Sequence, residues 1–231
     1  MQAAFRAVPR HLFLAGTEPA QAYQDIAVVI ESDGDGLPVS ASAQPTMMAI
    51  MLDQLGLVVG HRVLEIGTGT GYNAALIAHI VGGQESVVTV DVVPELIHQA
   101  RASLAAAGYG DVIVVCGDGA AGVTGRGPYD RVIVTAGVWD LAPQWLAQLA
   151  PGGRIVAPLS VRGIQLAVGL ERVGDHLVSR SACRRGFIRM TGAFTGPEPI
   201  VALGPQPACT LRLSTGQLRT RGRCTRRCPG R

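Results

Sequence analysis

Apolar and polar positions follow two rhythms along the middle of this chain. Residues 62–66, 86–91, 112–116, 129–135 and 153–158 are short apolar runs rich in Val and Ile, which read as strands. Between them, residues 72–81, 94–107 and 143–149 read as helices, the second with Pro94 in its first turn. Upstream, Met48, Met51, Leu52 and Leu55 recur at helical spacing within residues 45–57. Those methionines read as core filler, a role suited to an unbranched, polarisable side chain. After the fifth strand, residues 165–173 and 176–183 form two more, joined by the hairpin signal Gly174-Asp175. Alternating strands and helices imply a parallel sheet, and a terminal hairpin implies one antiparallel strand. The expected fold is α/β: a three-layer Rossmann-like sheet, mostly parallel, with a C-terminal antiparallel hairpin.

The two ends of the chain are less regular. Residues 1–37 are mixed, with a turn signal at Asp33-Gly34-Asp35-Gly36 that holds too few acids for a calcium loop by itself. Residues 195–231 are rich in Pro, Gly, Thr and Arg, show little periodicity, and read as a poorly ordered basic tail.

The run Val63-Leu64-Glu65-Ile66-Gly67-Thr68-Gly69-Thr70-Gly71-Tyr72 carries the chemistry. It reads as a strand, a glycine turn and a helix start, where an α/β sheet holds a nucleotide-like ligand. Glycines permit positive φ and close backbone approach. A dinucleotide fingerprint is G-x-G-x-x-G, which seats a pyrophosphate on the helix N-terminus. Here the spacing is G-x-G-x-G, with Glu65 two residues before the first glycine. A carboxylate there repels a pyrophosphate and attracts the cationic amino-acid end of S-adenosyl-L-methionine. The plain alternative is an ordinary strand-to-helix turn.

Three further stations lie at strand ends. Asp91 ends the second strand, placed to accept from both ribose hydroxyls, or to cap the helix near Pro94. Asp118, between Gly117 and Gly119 after the third strand, suits the adenine amino group; a plain turn reads equally well. Thr135 ends the fourth strand, whose far end faces the reacting methyl. Asp130, at the opposite end, reads as structural, and His11 and His61 as surface or packing residues. Expected for the cofactor are Glu65, Gly67, Thr68, Gly69, Gly71, Asp91, Asp118 and Gly119.

Composition narrows the class. The chain has 231 residues, 20 Lys+Arg and 17 Asp+Glu, for a net charge of +3. Every basic residue is arginine. Seven arginines and no acid lie from Ile200 onward, so residues 1–199 carry about −4 and show no nucleic-acid footprint. The five cysteines follow no zinc spacing and read as free thiols; no metal is expected. No stretch is long enough to span a membrane, and the N-terminus lacks a signal pattern, so a soluble cytoplasmic protein is expected.

Several motifs then occur in one order: Val8-Pro9-Arg10-His11-x-Phe13, Ala22-Tyr23-x-Asp25, Gln44-Pro45 followed by Met48-Ala49-x-Met51-Leu52, the glycine loop, and Pro151-Gly152-Gly153-Arg154. Together they resemble the protein-L-isoaspartate O-methyltransferases, class I S-adenosylmethionine-dependent enzymes, over roughly residues 5–190. The resemblance implies methyl transfer to the α-carboxylate of L-isoaspartyl residues in proteins or peptides. The ester then collapses to a succinimide, and hydrolysis returns some normal aspartate. It also implies three regions: residues 1–44 on the substrate side, 45–194 as the cofactor domain, and 195–231 as the tail. Gln44, Pro45 and Thr135 fall on the substrate side.

Residues 36–45, the Gly71-Tyr72-Asn73-Ala74-Ala75 variant, Ala136-Gly137-Val138-Trp139-Asp140 and Arg185-Gly186-Phe187 resemble relatives that methylate an aspartate of a ribosomal precursor peptide. That is the alternative reading of the acceptor. The family places a serine immediately before Gln-Pro, against the substrate carboxylate; here Ala43 stands there. Either Ser42 substitutes as the hydroxyl in the reaction site, or that contact is lost. Ser42 can equally cap the following helix.

Overall fold

The computed structural model of the chain describes residues 1–184, 186–196, 200–202 and 210–212. Two compact units separate at Gly196, Met1–Gly196 and Pro197–Arg231.

In the first unit, helices α1 (Gln2–Ala7) and α2 (Pro19–Ala22) precede a separate hairpin of β1 (Val28–Ser32) and β2 (Pro38–Ser42). Then follow α3 (Pro45–Leu55), β3 (Val63–Ile66), α4 (Tyr72–Val81), β4 (Val87–Asp91), α5 (Pro94–Ala106), β5 (Ile113–Cys116), β6 (Tyr129–Val134), α6 (Pro143–Gln148), β7 (Leu149–Val161), β8 (Ile164–Val173) and β9 (His176–Arg184). Strands β3 to β9 make one sheet in the order β5-β4-β3-β6-β7-β8-β9. The first five of these run parallel, and β8 is antiparallel to both its neighbours. The order reverses between β3 and β6, so the loops after these strands border the crevice where such sheets bind ligands.

Successive side chains of a strand point to opposite faces, and two apolar cores result. Val63, Val87, Ile133 and Val156 face α1, α3, α4 and α5. Leu64, Ile66, Val88, Val90, Val132 and Val134 face α6 and Trp145. This is the expected three-layer sheet. Glu65 and Thr89 stand between residues of the second core and therefore point to the α4 side.

Most boundaries fall within one residue of the sequence reading, and two elements and one hairpin depart further. Helix α3 stops at Leu55 because Gly56 takes the left-handed conformation at its end. Strand β7 starts at Leu149, four residues before the apolar run, and continues to Val161 against β8. The β1–β2 hairpin carries no clean alternation, since its register is bulged near Val29 and Glu31.

In the second unit, β10 (Ile200–Ala202) and β11 (Thr210–Arg212) pair antiparallel. The rest of the expected poorly ordered tail lies outside the described residues. Among the described residues, no helix is long and apolar enough to cross a membrane.

Candidate active site

A cavity of about 270 Å³ opens at the C-terminal edge of the sheet, just below the usual range for ligand sites. The loop after β3 forms its floor, with Asp91 on one flank and Thr135 on the other. The end of β2 and the segment after β9 close it from above.

Glu65 is fully buried on that floor. Asn73 Nδ2 donates to its Oε1 and the Thr89 hydroxyl to its Oε2, each at 2.7 Å. Thr89 has one proton and spends it on Glu65, so the Thr68 hydroxyl, 2.8 Å away, donates to Thr89. Burial pushes the Glu65 pKa up to about 7, against the pull of the two hydrogen bonds and with a push from Asp91. The network is part of the wall, and Asn73 Oδ1 is left buried in it with no partner. An acceptor orphaned in this way calls for a donor. A ligand ammonium supplies one, and it matches the adjacent carboxylate, so the residues present fit the amino-acid end of S-adenosylmethionine.

Asp91 ends β4 half-buried. Gly69 N–H donates to its Oδ2 at 3.0 Å and Val93 N–H to its Oδ1 at 3.3 Å. The glycine loop thus aims this carboxylate, which keeps lone pairs for further donors. Thr135 locks the same loop from the other side: its hydroxyl is shared between the carbonyls of Ile66, at 3.0 Å, and Gly67, at 2.8 Å. Gly67 has φ +101°, and a Cβ there would meet the Thr135 hydroxyl at 2.5 Å. Only glycine fits both demands.

Two expected cofactor residues lie off the cavity wall. Gly71 faces away from it: a Cβ would touch Leu104 and Ala100 of α5 at 3.2–3.4 Å, so this glycine serves helix packing. Asp118 caps the turn that follows it, accepting from Ala120 N–H at 2.9 Å, and accepts from Ala193 N–H at 2.8 Å. Its neighbour Gly119 does line the cavity. Trp145 Nε1 fixes Gly119 by donating to its carbonyl at 2.7 Å.

On the substrate side, Ser42 is buried and lines the cavity with Gln44. Gln44 Nε2 donates to Asp25 Oδ2 at 2.9 Å, and Thr46 donates to Asp25 through N–H and hydroxyl. These bonds hold the Asp25 carboxyl below its ordinary pKa, the Thr46 amide contributing most. Pro45 starts α3 as its first residue rather than lining the cavity. Ala43 packs against the core, and its carbonyl accepts from Arg10. His11 is exposed beside Tyr23, and Asp130 accepts from Arg62 N–H, far from the cavity.

The sequence reading assigned no site role to Asn73, Thr89, the wall made by Met47, Met48 and Met51, or the segment after β9. Thr89 was detectable in principle, because it is a polar residue inside the apolar run of β4. The methionines are core residues and cavity wall at once. No group of three or more metal-ligating side chains occurs among the described residues.

The family model for protein-L-isoaspartate(D-aspartate) O-methyltransferase matches residues 1–193. A protein-L-isoaspartate O-methyltransferase of Thermotoga maritima is 41% identical over 192 residues, covering 82% of this chain and 60% of its own. The chain therefore spans less than two thirds of that relative. A solved protein-L-isoaspartate O-methyltransferase is 34% identical with a TM-score of 0.76, covering 87% of this chain and 67% of its own. A Plasmodium falciparum beta-aspartate methyltransferase, solved with S-adenosyl-L-homocysteine, shares the fold at 17% identity and a TM-score of 0.70, covering 82% of this chain and 88% of its own. Family match, relatives and fold agree with a glycine-loop cavity at the sheet's switch point: the chain belongs to the protein-L-isoaspartate(D-aspartate) O-methyltransferase family.

Proposed function

We propose that this protein is an S-adenosylmethionine-dependent carboxyl methyltransferase acting on L-isoaspartyl residues of proteins or peptides. One observation carries the reading: a single cavity joins the glycine loop after β3 to Ser42 at the end of β2 and Gln44 after it. Cofactor and acceptor would share that space. The relatives are named for this reaction, and nothing in the cavity favours an aspartyl precursor peptide instead.

In this reading Gly67, Thr68, Gly69 and Gly119 shape the cofactor bed. Asp91 accepts from the ribose hydroxyls. Glu65 and Asn73 Oδ1 face the α-ammonium. Asp118 shapes the adenine end through the turn it caps, and Gly71 acts through the seat of α4 on α5. S-adenosylmethionine supplies an electrophilic sulfonium methyl when bound. The acceptor carboxyl ionises near pH ~4 and is already an anion at neutral pH. No side chain need remove a proton, so the protein's work is alignment and exclusion of water. Ser42 presents the hydroxyl to the acceptor carboxylate, because it lines the cavity beside Ala43, whose methyl offers no hydrogen bond. Gln44, held by Asp25, and Thr135 flank it. The methionines of α3 give the cavity an apolar side. The two described cysteines, Cys116 and Cys183, are free, which suits the cytoplasm.

The test is incubation with S-adenosylmethionine and matched isoaspartyl and aspartyl peptides. The expected result is a base-labile methyl ester on the isoaspartyl peptide alone. Binding of S-adenosylhomocysteine with no transfer to either peptide overturns the reading.

A further inference from the structure

Arg10 is 1% exposed, an unusual place for an arginine. Four carbonyls take up the two terminal nitrogens of its guanidinium, while Nε is buried with no partner. Nη1 donates to Ala22 O at 3.0 Å and Gln24 O at 3.2 Å, and Nη2 donates to Ile26 O at 3.3 Å and Ala43 O at 3.1 Å. The first three carbonyls belong to the strand of chain that leads into β1. The fourth leaves β2. Arg10 therefore ties together both ends of the β1–β2 hairpin. Its Cζ also lies 5.8 Å from the ring centroid of Tyr72, the first residue of α4 after the glycine loop.

The hairpin needs such an anchor. Among the described residues β1 and β2 pair with each other and with no strand of the main sheet. Several of its apolar side chains, including Val29 and Val39, are exposed. Yet Ser40 and Ser42 of β2 form one wall of the cavity. Outside, Asp25 adds a second staple to Gln44 and Thr46. Inside, Arg10 reaches both ends of the hairpin.

We propose that Arg10 is a positioning residue that sets the β2 wall of the cavity and thereby the affinity for the peptide acceptor. This rests on the isoaspartyl reading above. Arginine is required because a planar fork of donors spans four carbonyls, whereas a lysine ammonium is a compact point donor.

The experiment compares wild type with Arg10→Lys and with the surface variant Asp25→Asn. Three quantities are measured: KM and kcat for an isoaspartyl peptide, the S-adenosylhomocysteine dissociation constant, and amide hydrogen exchange. In Arg10→Lys, the peptide KM rises about 10-fold, the loss expected from about one net hydrogen bond. Cofactor-product affinity and kcat stay near wild type, and exchange quickens in residues 27–43 but not in β3 or α4. Asp25→Asn moves KM in the same direction by less. An unchanged peptide KM in a folded Arg10→Lys overturns the proposal, as does an equal loss of cofactor-product affinity. If Arg10→Lys does not fold, Arg10→Gln, which keeps one two-proton donor, is measured in its place: a raised KM with quickened exchange in residues 27–43 supports the proposal, and unchanged values overturn it. A wild type that binds S-adenosylhomocysteine but methylates no isoaspartyl peptide overturns the functional reading and the acceptor role of the wall. Exchange in Arg10→Lys then separately reports whether the arginine pins the hairpin.

Discussion

Glu65 is a buried carboxylate with two donors, and its pKa near 7 makes it a residue through which pH acts on this fold. Its folded pKa lies above the ordinary 4.5, so the folded state binds more protons than the unfolded state between these values. Stability from this group is full below pH 4.5 and is lost as pH rises through about 7. The loss is on the order of 3 kcal/mol at most. Urea titrations across this range should show the ligand-free protein weakening with pH, and Glu65→Gln should flatten the trend. The glutamine can still accept from Thr89, and its amide can donate to Asn73 Oδ1 once that side chain turns over. Asn73 offers a test of the ammonium site that needs no turnover. Asn73→Leu should weaken S-adenosylhomocysteine about 10-fold or more and leave methylthioadenosine, which lacks the amino-acid end, unchanged in calorimetry. Equal weakening of both ligands would remove Asn73 from the ammonium site.

At the scale of elements, the turn between β3 and α4 couples packing to the ligand bed. Gly71 holds φ +85° and lies against Leu104 and Ala100, so α4 sits close on α5 only with glycine there. Gly71→Ala should destabilise the fold by about 1–3 kcal/mol, read as a lowered denaturation midpoint, with any loss of ligand affinity following from the displaced loop. The regular elements were legible because their signals are local. Strands β3, β4 and β6 are apolar runs, and α5 opens with Pro94. The β1–β2 hairpin was not legible, because its bulged, half-exposed strands lack alternation and its anchor lies in another part of the chain. Strand β7 outran its apolar core because pairing with β8 extends it through Ser160 and Val161.

At the largest scale, residues 1–196 rest on two cores that share one sheet. Each of β3, β4 and β6 sends alternate residues to both faces, so neither core survives loss of the other. A single cooperative unfolding transition is expected for residues 1–196, with near-coincident fluorescence and circular dichroism curves. Leu76→Ala, at a fully buried position of α4, should cost about 2–5 kcal/mol and move both curves together. Separate transitions would show that the two faces fold independently.

The order of residues alone dictates the alternation of strands and helices, the parallel sheet with its closing hairpin, and the glycine turn with an acid before it. Hydrophobic periodicity and backbone freedom are properties of neighbouring residues, so they can be read in one dimension. Tertiary structure decided what each polar group in the turn touches. Glu65 finds Asn73 across the loop and Thr89 on the next strand. Asp118 spends its oxygens on Ala120 and Ala193. Gly71 faces a helix rather than a ligand, and Arg10 gathers carbonyls from Ala22 to Ala43. A hydrogen bond depends on distance and direction in space, and those partners are brought together only when the chain has folded.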